Sequence, residues 1–216
     1  MILYIETSSA ICSVALSHRK ECLGLVETNE PNIHSSHLSI FIQELMDKTG
    51  YSLSDMEAVA VSLGPGSYTG LRIGLATAKG ICYATDAHLL PIPTLQAMAF
   101  GFSQKQILPP SSFIIPVLDA RRNDVYAAVF FEKNQPVKEA FAMTLSPDSF
   151  DEYIRQADCY FIGDGTSKVE QMISPDTHIH CVHQIMPSAK DMIGIAEAML
   201  TNQQFADLAY VEPFYR

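Results

Sequence analysis

The sequence predicts an α/β protein built as two similar lobes, each strand-strand-strand-helix-strand-helix. Three observations carry this reading. Short apolar runs of strand length alternate with amphipathic helical stretches along all 216 residues. The order of those elements recurs in the second half of the chain. Between the halves lies Ser103–Ser112, a Ser/Gln/Lys/Pro stretch suited to a connection. The lobes are therefore expected at 1–103 and 104–216, long enough to bury cores without disulfides or metal.

In the first half, Ile2–Ile5, Cys12–Leu16 and Glu21–Glu27 are β-rich and separated by Thr7–Ser9 and His18–Lys20, a meander of three strands. A polar loop is expected around Asn29–Pro31. Leu38, Phe41, Ile42 and Leu45 fall at i, i+3, i+4 and i+7, which makes a helix from about Ser35 that stops at Gly50. Ala58–Leu63 reads as a buried strand. Gly64-Pro65-Gly66 turns the chain, and Ser67 or Thr69 caps a helix to about Thr85. Leu89–Ile92 is a strand, and Thr94 caps a short helix to about Phe102.

The second half repeats the order. Phe113–Leu118, Val125–Phe131 and Val137–Leu145 are strands, the first two joined by a turn at Arg121–Asp124. Ser146-Pro147-Asp148 starts a helix over Phe150–Gln156. Cys159–Ile162 is a strand, Thr166–Ile173 a helix, Ile179–Val182 a strand and Ser188–Gln203 a longer helix. The identities of the two halves scarcely match, so the repeat rests on element order.

Composition narrows the function classes. Lys and Arg total 14 against 24 Asp and Glu, a net charge of −10. A chain so acidic makes a poor stand-alone nucleic-acid clamp, because phosphate binding is driven by Lys and Arg releasing counterions. The five cysteines form no C-x-x-C pair, the pattern of reduced thiols. Glu6 interrupts the first apolar stretch at once, against a signal peptide. Arg72, Lys79 and Asp86 interrupt Leu71–Pro93, against a bilayer span. A cytoplasmic protein without membrane contact is expected.

Gly64 to Gly70 sits between a strand and a helix but lacks the Gly-Lys-Ser/Thr of a phosphate loop and misplaces the third glycine of a dinucleotide fingerprint. Gly66, Gly70, Gly74 and Ala78 recur every four residues, a stripe along which another element can approach closely. Glycine inside a helix costs about 0.8–1 kcal/mol relative to alanine, so the stripe needs a compensating contact. Packing within the lobe and docking of a partner helix both remain open. His34 and His37 lack further ligands at helpful spacing, and the group His178, His180, His183 lacks a metal-ligand signature; no metal is expected. No G-x-S-x-G elbow occurs. Gly163-Asp164-Gly165-Thr166-Ser167-Lys168 lies at a strand-to-helix corner but lacks the third glycine. Glu6-Thr7-Ser8 and Asp119 occupy equivalent first hairpins of the two halves. Carboxylates there would suit a magnesium-triphosphate site, yet Ser8 and Arg121 stand where glycine would be wanted. These are read as vestigial phosphate-loop positions, with no catalytic residue and no cofactor.

Leu3–Leu16, His34–Leu38, Leu63–Gly74, Val117–Tyr126 and Val211–Tyr215 together resemble the TsaB (YeaZ) family, the bacterial threonylcarbamoyladenosine biosynthesis subunits. The block Leu-Gly-Pro-Gly-Ser-Tyr-Thr-Gly-Leu-Arg-Ile-Gly is the most specific of these. The resemblance implies two lobes of the actin-like, Hsp70 and sugar-kinase type. It implies a noncatalytic partner of the paralogue TsaD, which transfers the threonylcarbamoyl group to tRNA, with the ATPase TsaE joining them and tRNA engaged only indirectly. It places the TsaD contact on the first two long helices, with Leu38, Ile42, Leu45, Gly70, Leu71, Gly74, Leu75, Ala78 and Ile81 as contact candidates, and a homodimer through the same face when TsaD is absent. Arg72 binds either within its own lobe or to the partner. The alternative is an ATP-binding phosphotransferase or ATPase of the same superfamily.

Overall fold

The computed structural model describes residues 1–28, 34–132 and 134–214; the loop expected at Asn29–Pro31 lies outside them. Strands β1 (Ile2–Glu6), β2 (Cys12–His18) and β3 (Glu21–Thr28) form the meander, followed by helix α1 (His34–Thr49), β4 (Ala58–Gly64), α2 (Tyr68–Thr85), β5 (His88–Pro93) and α3 (Thr94–Lys105). The second series is β6 (Phe113–Asp119), β7 (Asp124–Phe131), β8 (Gln135–Thr144), α4 (Asp151–Ile154), β9 (Cys159–Ile162), α5 (Thr166–Met172) and β10 (Ile179–Val182), with α6 (Ile193–Thr201) last.

The two sheets share one topology. The first runs β3-β2-β1-β4-β5 and the second, read from its other end, β8-β7-β6-β9-β10. In each, the first strand pairs antiparallel with the second and parallel with the fourth. The repeat expected from element order is thus a repeat of sheet order as well.

Alternation along β1 sorts the first core. Leu3 and Ile5 face α1 and α2, packed with Leu38, Ile42, Leu45, Leu75 and Ala78. Ile2 and Tyr4 face the other way, against Met192, Ile193 and Ala196. Such two-sided burial explains why β1 is apolar at every position before Glu6, rather than alternating with polar residues. In the second sheet, Phe113, Ile115 and Val117 pack with Val125, Ala127, Tyr153 and Val169.

The chain divides into two units, but not at the expected border. The first comprises Met1–Ala97 together with Pro187–Tyr215, the second Met98–Met186. Residues 187–214 therefore do not complete a 104–216 lobe. They pack on the first sheet because the apolar face of α6 meets Ile2 and Tyr4 there. Ala206 bridges Leu89 of the edge strand β5, with its N–H donating to the Leu89 carbonyl at 3.0 Å, and His88 stacks on Phe205 with centroids 3.8 Å apart.

Local differences are small. The helix expected over Ser188–Gln203 begins as a 3-10 turn, Ala189–Met192, before α6. Thr94 is the first residue of α3, and among the described residues its buried hydroxyl lacks a hydrogen-bond partner, so it does not cap.

Candidate functional site

Helix α2 begins hard against the turn that follows β1. The Ser67 hydroxyl accepts from the Gly70 N–H at 3.2 Å, capping the helix. The Ser67 N–H donates to the Ser8 carbonyl at 2.6 Å. The Thr7 hydroxyl donates to the Gly70 carbonyl at 2.8 Å. A β-carbon on Gly66 would stand 2.2 Å from the Ser8 carbonyl oxygen, and one on Gly74 would stand 2.2 Å from Thr7 Oγ1. The glycines of the stripe are therefore covered within the lobe, by Thr7 and Ser8 just after β1.

The expected contact residues are largely turned inward in this chain. Leu38, Ile42, Leu45, Leu71, Leu75 and Ala78 are buried in their own lobe, Gly70 and Gly74 face Thr7, and Ile81 packs against the same core while half-buried. Apolar periodicity in a surface helix marks the side turned to its own sheet, which is where these residues went.

The opposite sides of α1 and α2 carry exposed residues outside that set. On α2, Tyr68 is 54% exposed and Tyr83 85% exposed, and on α1 Ile40 is 54% exposed. Arg72 and Ala76 lie on the same outward side of α2. The Arg72 guanidinium sits 3.9 Å above the Tyr68 ring, one helical turn away, so its cation is held within its own lobe. The two helices pack beside one another. The signal available in the sequence was tyrosine at positions 68 and 83, off the glycine stripe.

Glu6 is fully buried. Its Oε1 accepts from the Ser8 N–H at 2.6 Å, while among the described residues Oε2 has no hydrogen-bond partner. Burial pushes its carboxyl above the usual range, and the nearby Asp191 charge adds to this, outweighing the Ser8 hydrogen bond. A fully buried acid bonded to its own turn is poorly placed to hold a magnesium-bound water.

In the second unit, Asp119 is exposed at the end of β6. Its Oδ1 accepts from Lys168 Nζ at 2.9 Å and from the Arg121 N–H at 2.6 Å. Desolvation alone would raise its carboxyl, but these hydrogen bonds and the Lys168 charge outweigh it and hold the group below the usual range. The glycines of the β9–α5 corner serve packing: a β-carbon on Gly163 would meet the Val117 carbonyl oxygen at 2.2 Å. Among the described residues no three His, Cys, Asp or Glu side chains gather closely enough to hold a metal ion. The late histidines are paired singly, His178 with Asp176, His180 with Asp158 and His183 with Glu170. No helix of the described residues is long and apolar enough to cross a membrane.

Paired mixed sheets of identical order define an α/β protein of the actin-like, Hsp70 and sugar-kinase class. The activator of 2-hydroxyisocaproyl-CoA dehydratase from Clostridium difficile with bound ADPNP shares that fold, with a TM-score of 0.52 at 11% identity over 95% of this chain and 98% of that one. The family model described as TsaD, tRNA N6-adenosine threonylcarbamoyltransferase, matches residues 11–211. The chain belongs to this family, on its TsaB (YeaZ) side. It is 27% identical to the tRNA threonylcarbamoyladenosine biosynthesis protein TsaB of Escherichia coli (strain K12), over 99% of this chain and 93% of that protein. An uncharacterized protein with similarity to peptidase YEAZ from Pseudomonas aeruginosa superposes with a TM-score of 0.88, at 24% identity, covering 99% of this chain and 98% of that one.

Proposed function

We propose that this chain acts in tRNA threonylcarbamoyladenosine biosynthesis as a noncatalytic subunit that docks on TsaD and activates it, with TsaE joining the assembly. The observation that carries the docking role is the outward side of α1 and α2, where Ile40, Tyr68 and Tyr83 stand exposed beside Arg72. Tyr and Arg are the residue types enriched at energetic centres of interfaces. The same surface would pair two copies when TsaD is absent. TsaD supplies the chemistry and most of the hold on tRNA in this reading.

The alternative, an ATP-binding phosphotransferase, needs room for a triphosphate beside Glu6. The burial of Glu6 and the contact of Gly66 with Ser8 weigh against it. Two measurements separate the readings. Co-expression with TsaD from the same organism should give a stable complex whose transfer activity exceeds that of TsaD alone. Millimolar ATP with magnesium should leave the melting temperature of the isolated chain unchanged, since a binder would be stabilised by RT ln(1 + [L]/Kd). Failure to bind TsaD, or ATP turnover by the isolated chain, overturns the proposal.

A further inference from the structure

We infer that the tip of the β6–β7 hairpin, Arg121 and Arg122, is a contact point for the phosphodiester backbone of an RNA. This deepens the proposed function, and rests on that reading for the choice of tRNA as the RNA. Both residues hold left-handed backbone, with φ of +71° and +48°. Glycine or asparagine adopts that conformation at lower cost than arginine, so the turn does not explain why two arginines stand there. Both side chains are exposed, and among the described residues neither guanidinium has a hydrogen-bond or ion-pair partner.

The two acids that flank the tip are already engaged. Asp119 is bound by Lys168 and the Arg121 N–H, and Asp124 Oδ1 accepts from the Thr144 hydroxyl at 2.5 Å. Lys168 also donates to the Asp124 carbonyl at 3.0 Å, so one ammonium ties both legs of the hairpin. The Ala120 N–H to Asp124 carbonyl bond at 3.1 Å and the Asp124 N–H to Arg121 carbonyl bond at 2.9 Å close the tip. The arginines are thus presented on a braced support. Small anionic ligands favour concave sites, whereas Arg121, Arg122 and Asn123 form an exposed tip. A projecting pair of guanidinium forks suits a polyanion whose phosphates come at regular intervals. Two phosphate contacts need no extended basic surface, so the acidic composition is no obstacle.

The test is fluorescence anisotropy of the full chain with unmodified tRNA between 50 and 200 mM salt. The double variant Arg121→Asn, Arg122→Gly removes both charges with residues suited to the left-handed backbone, and its melting temperature reports that it is folded. The control, Arg19→Asn with Lys20→Gly, removes two charges from another left-handed turn, where φ is +48° and +69°. The control should bind as wild type does. The hairpin variant should bind more weakly, with a salt slope shallower by about 1.5 for two lost phosphate contacts, so that the wild-type advantage narrows roughly eightfold across that range. Equal binding by wild type and hairpin variant overturns the inference, as does an equal loss in the control. Tip-dependent displacement of the RNA by poly-glutamate at matched charge would assign the tip to an acidic protein instead. A loss of ATP binding with RNA binding unchanged would assign it to a nucleotide. Docking to TsaD, followed in parallel, tests the underlying reading separately.

Discussion

The carbonyl oxygen of Thr7 lies 2.0 Å from the point a β-carbon on Gly70 would occupy, while the Thr7 hydroxyl donates to the Gly70 carbonyl. Backbone meets backbone here, so neither side can yield as a flexible side chain would. Gly70→Ala should therefore cost about 3 kcal/mol or more, beyond the usual overpacking penalty, and lower the melting temperature by roughly 6–12 °C for a chain of this size. Gly80 is the internal control. Among the described residues nothing lies within 4 Å of its added β-carbon, so Gly80→Ala should gain roughly 0.5–1 kcal/mol in the same scan.

Tyr83 and Ile40 point away from the core. Tyr83→Glu and Ile40→Asp should leave the melting temperature within about 2 °C of wild type, since exposed substitutions stay within roughly 0.5 kcal/mol. Each should weaken the TsaD complex at least about tenfold by calorimetry if it sits at an energetic centre of the interface. Leu45→Ala should do the reverse, costing about 2–5 kcal/mol of folding stability, because Leu45 is fully buried in its own lobe.

Glu6 makes stability depend on pH in a predictable direction. Its folded-state value lies above the ordinary 4.5, so the folded chain holds a proton that the unfolded chain releases. Its contribution is full below that ordinary value and declines as pH rises through the folded-state value. Glu6→Gln keeps an acceptor for the Ser8 N–H and has no proton to lose. Melting curves should show the variant gaining on wild type as pH rises above the ordinary 4.5, and a parallel pair of curves would refute the assignment.

Lys168 should govern the acid beside it. Asp119 contributes stability above its ordinary value of 3.8, which is lost as pH falls through its lower folded-state value. Lys168→Met removes the hydrogen bond and the charge while desolvation remains, so the Asp119 carboxyl should move upward by NMR titration. The cost in stability should be about 0.5–1 kcal/mol, because the Asp119 side chain is 45% exposed and solvent screens the pair.

The strands and helices were legible because their apolar periods are clean: β1 is apolar through Ile5, and Leu38, Ile42 and Leu45 repeat at helical spacing. Which surface the glycine stripe would meet was not legible. Small residues every four positions permit close approach by any element, and only the fold shows that Thr7 and Ser8 make it. The destination of residues 187–214 was equally hidden, since the apolar face of α6 would suit either sheet. For the acids at 6 and 119, residue type revealed the shared hairpin position but not the environment, which buries one and leaves the other exposed.

The return of the last segment to the first sheet has a consequence for synthesis. Ala206 covers the edge strand β5 at Leu89, and the Phe214 N–H reaches the Leu63 carbonyl at 2.7 Å. Met98–Met186 leaves the ribosome as a contiguous stretch able to fold while translation continues. The earlier-made sheet keeps its β5 margin uncovered, an edge open to wrong pairing, until residues 187–214 have been made.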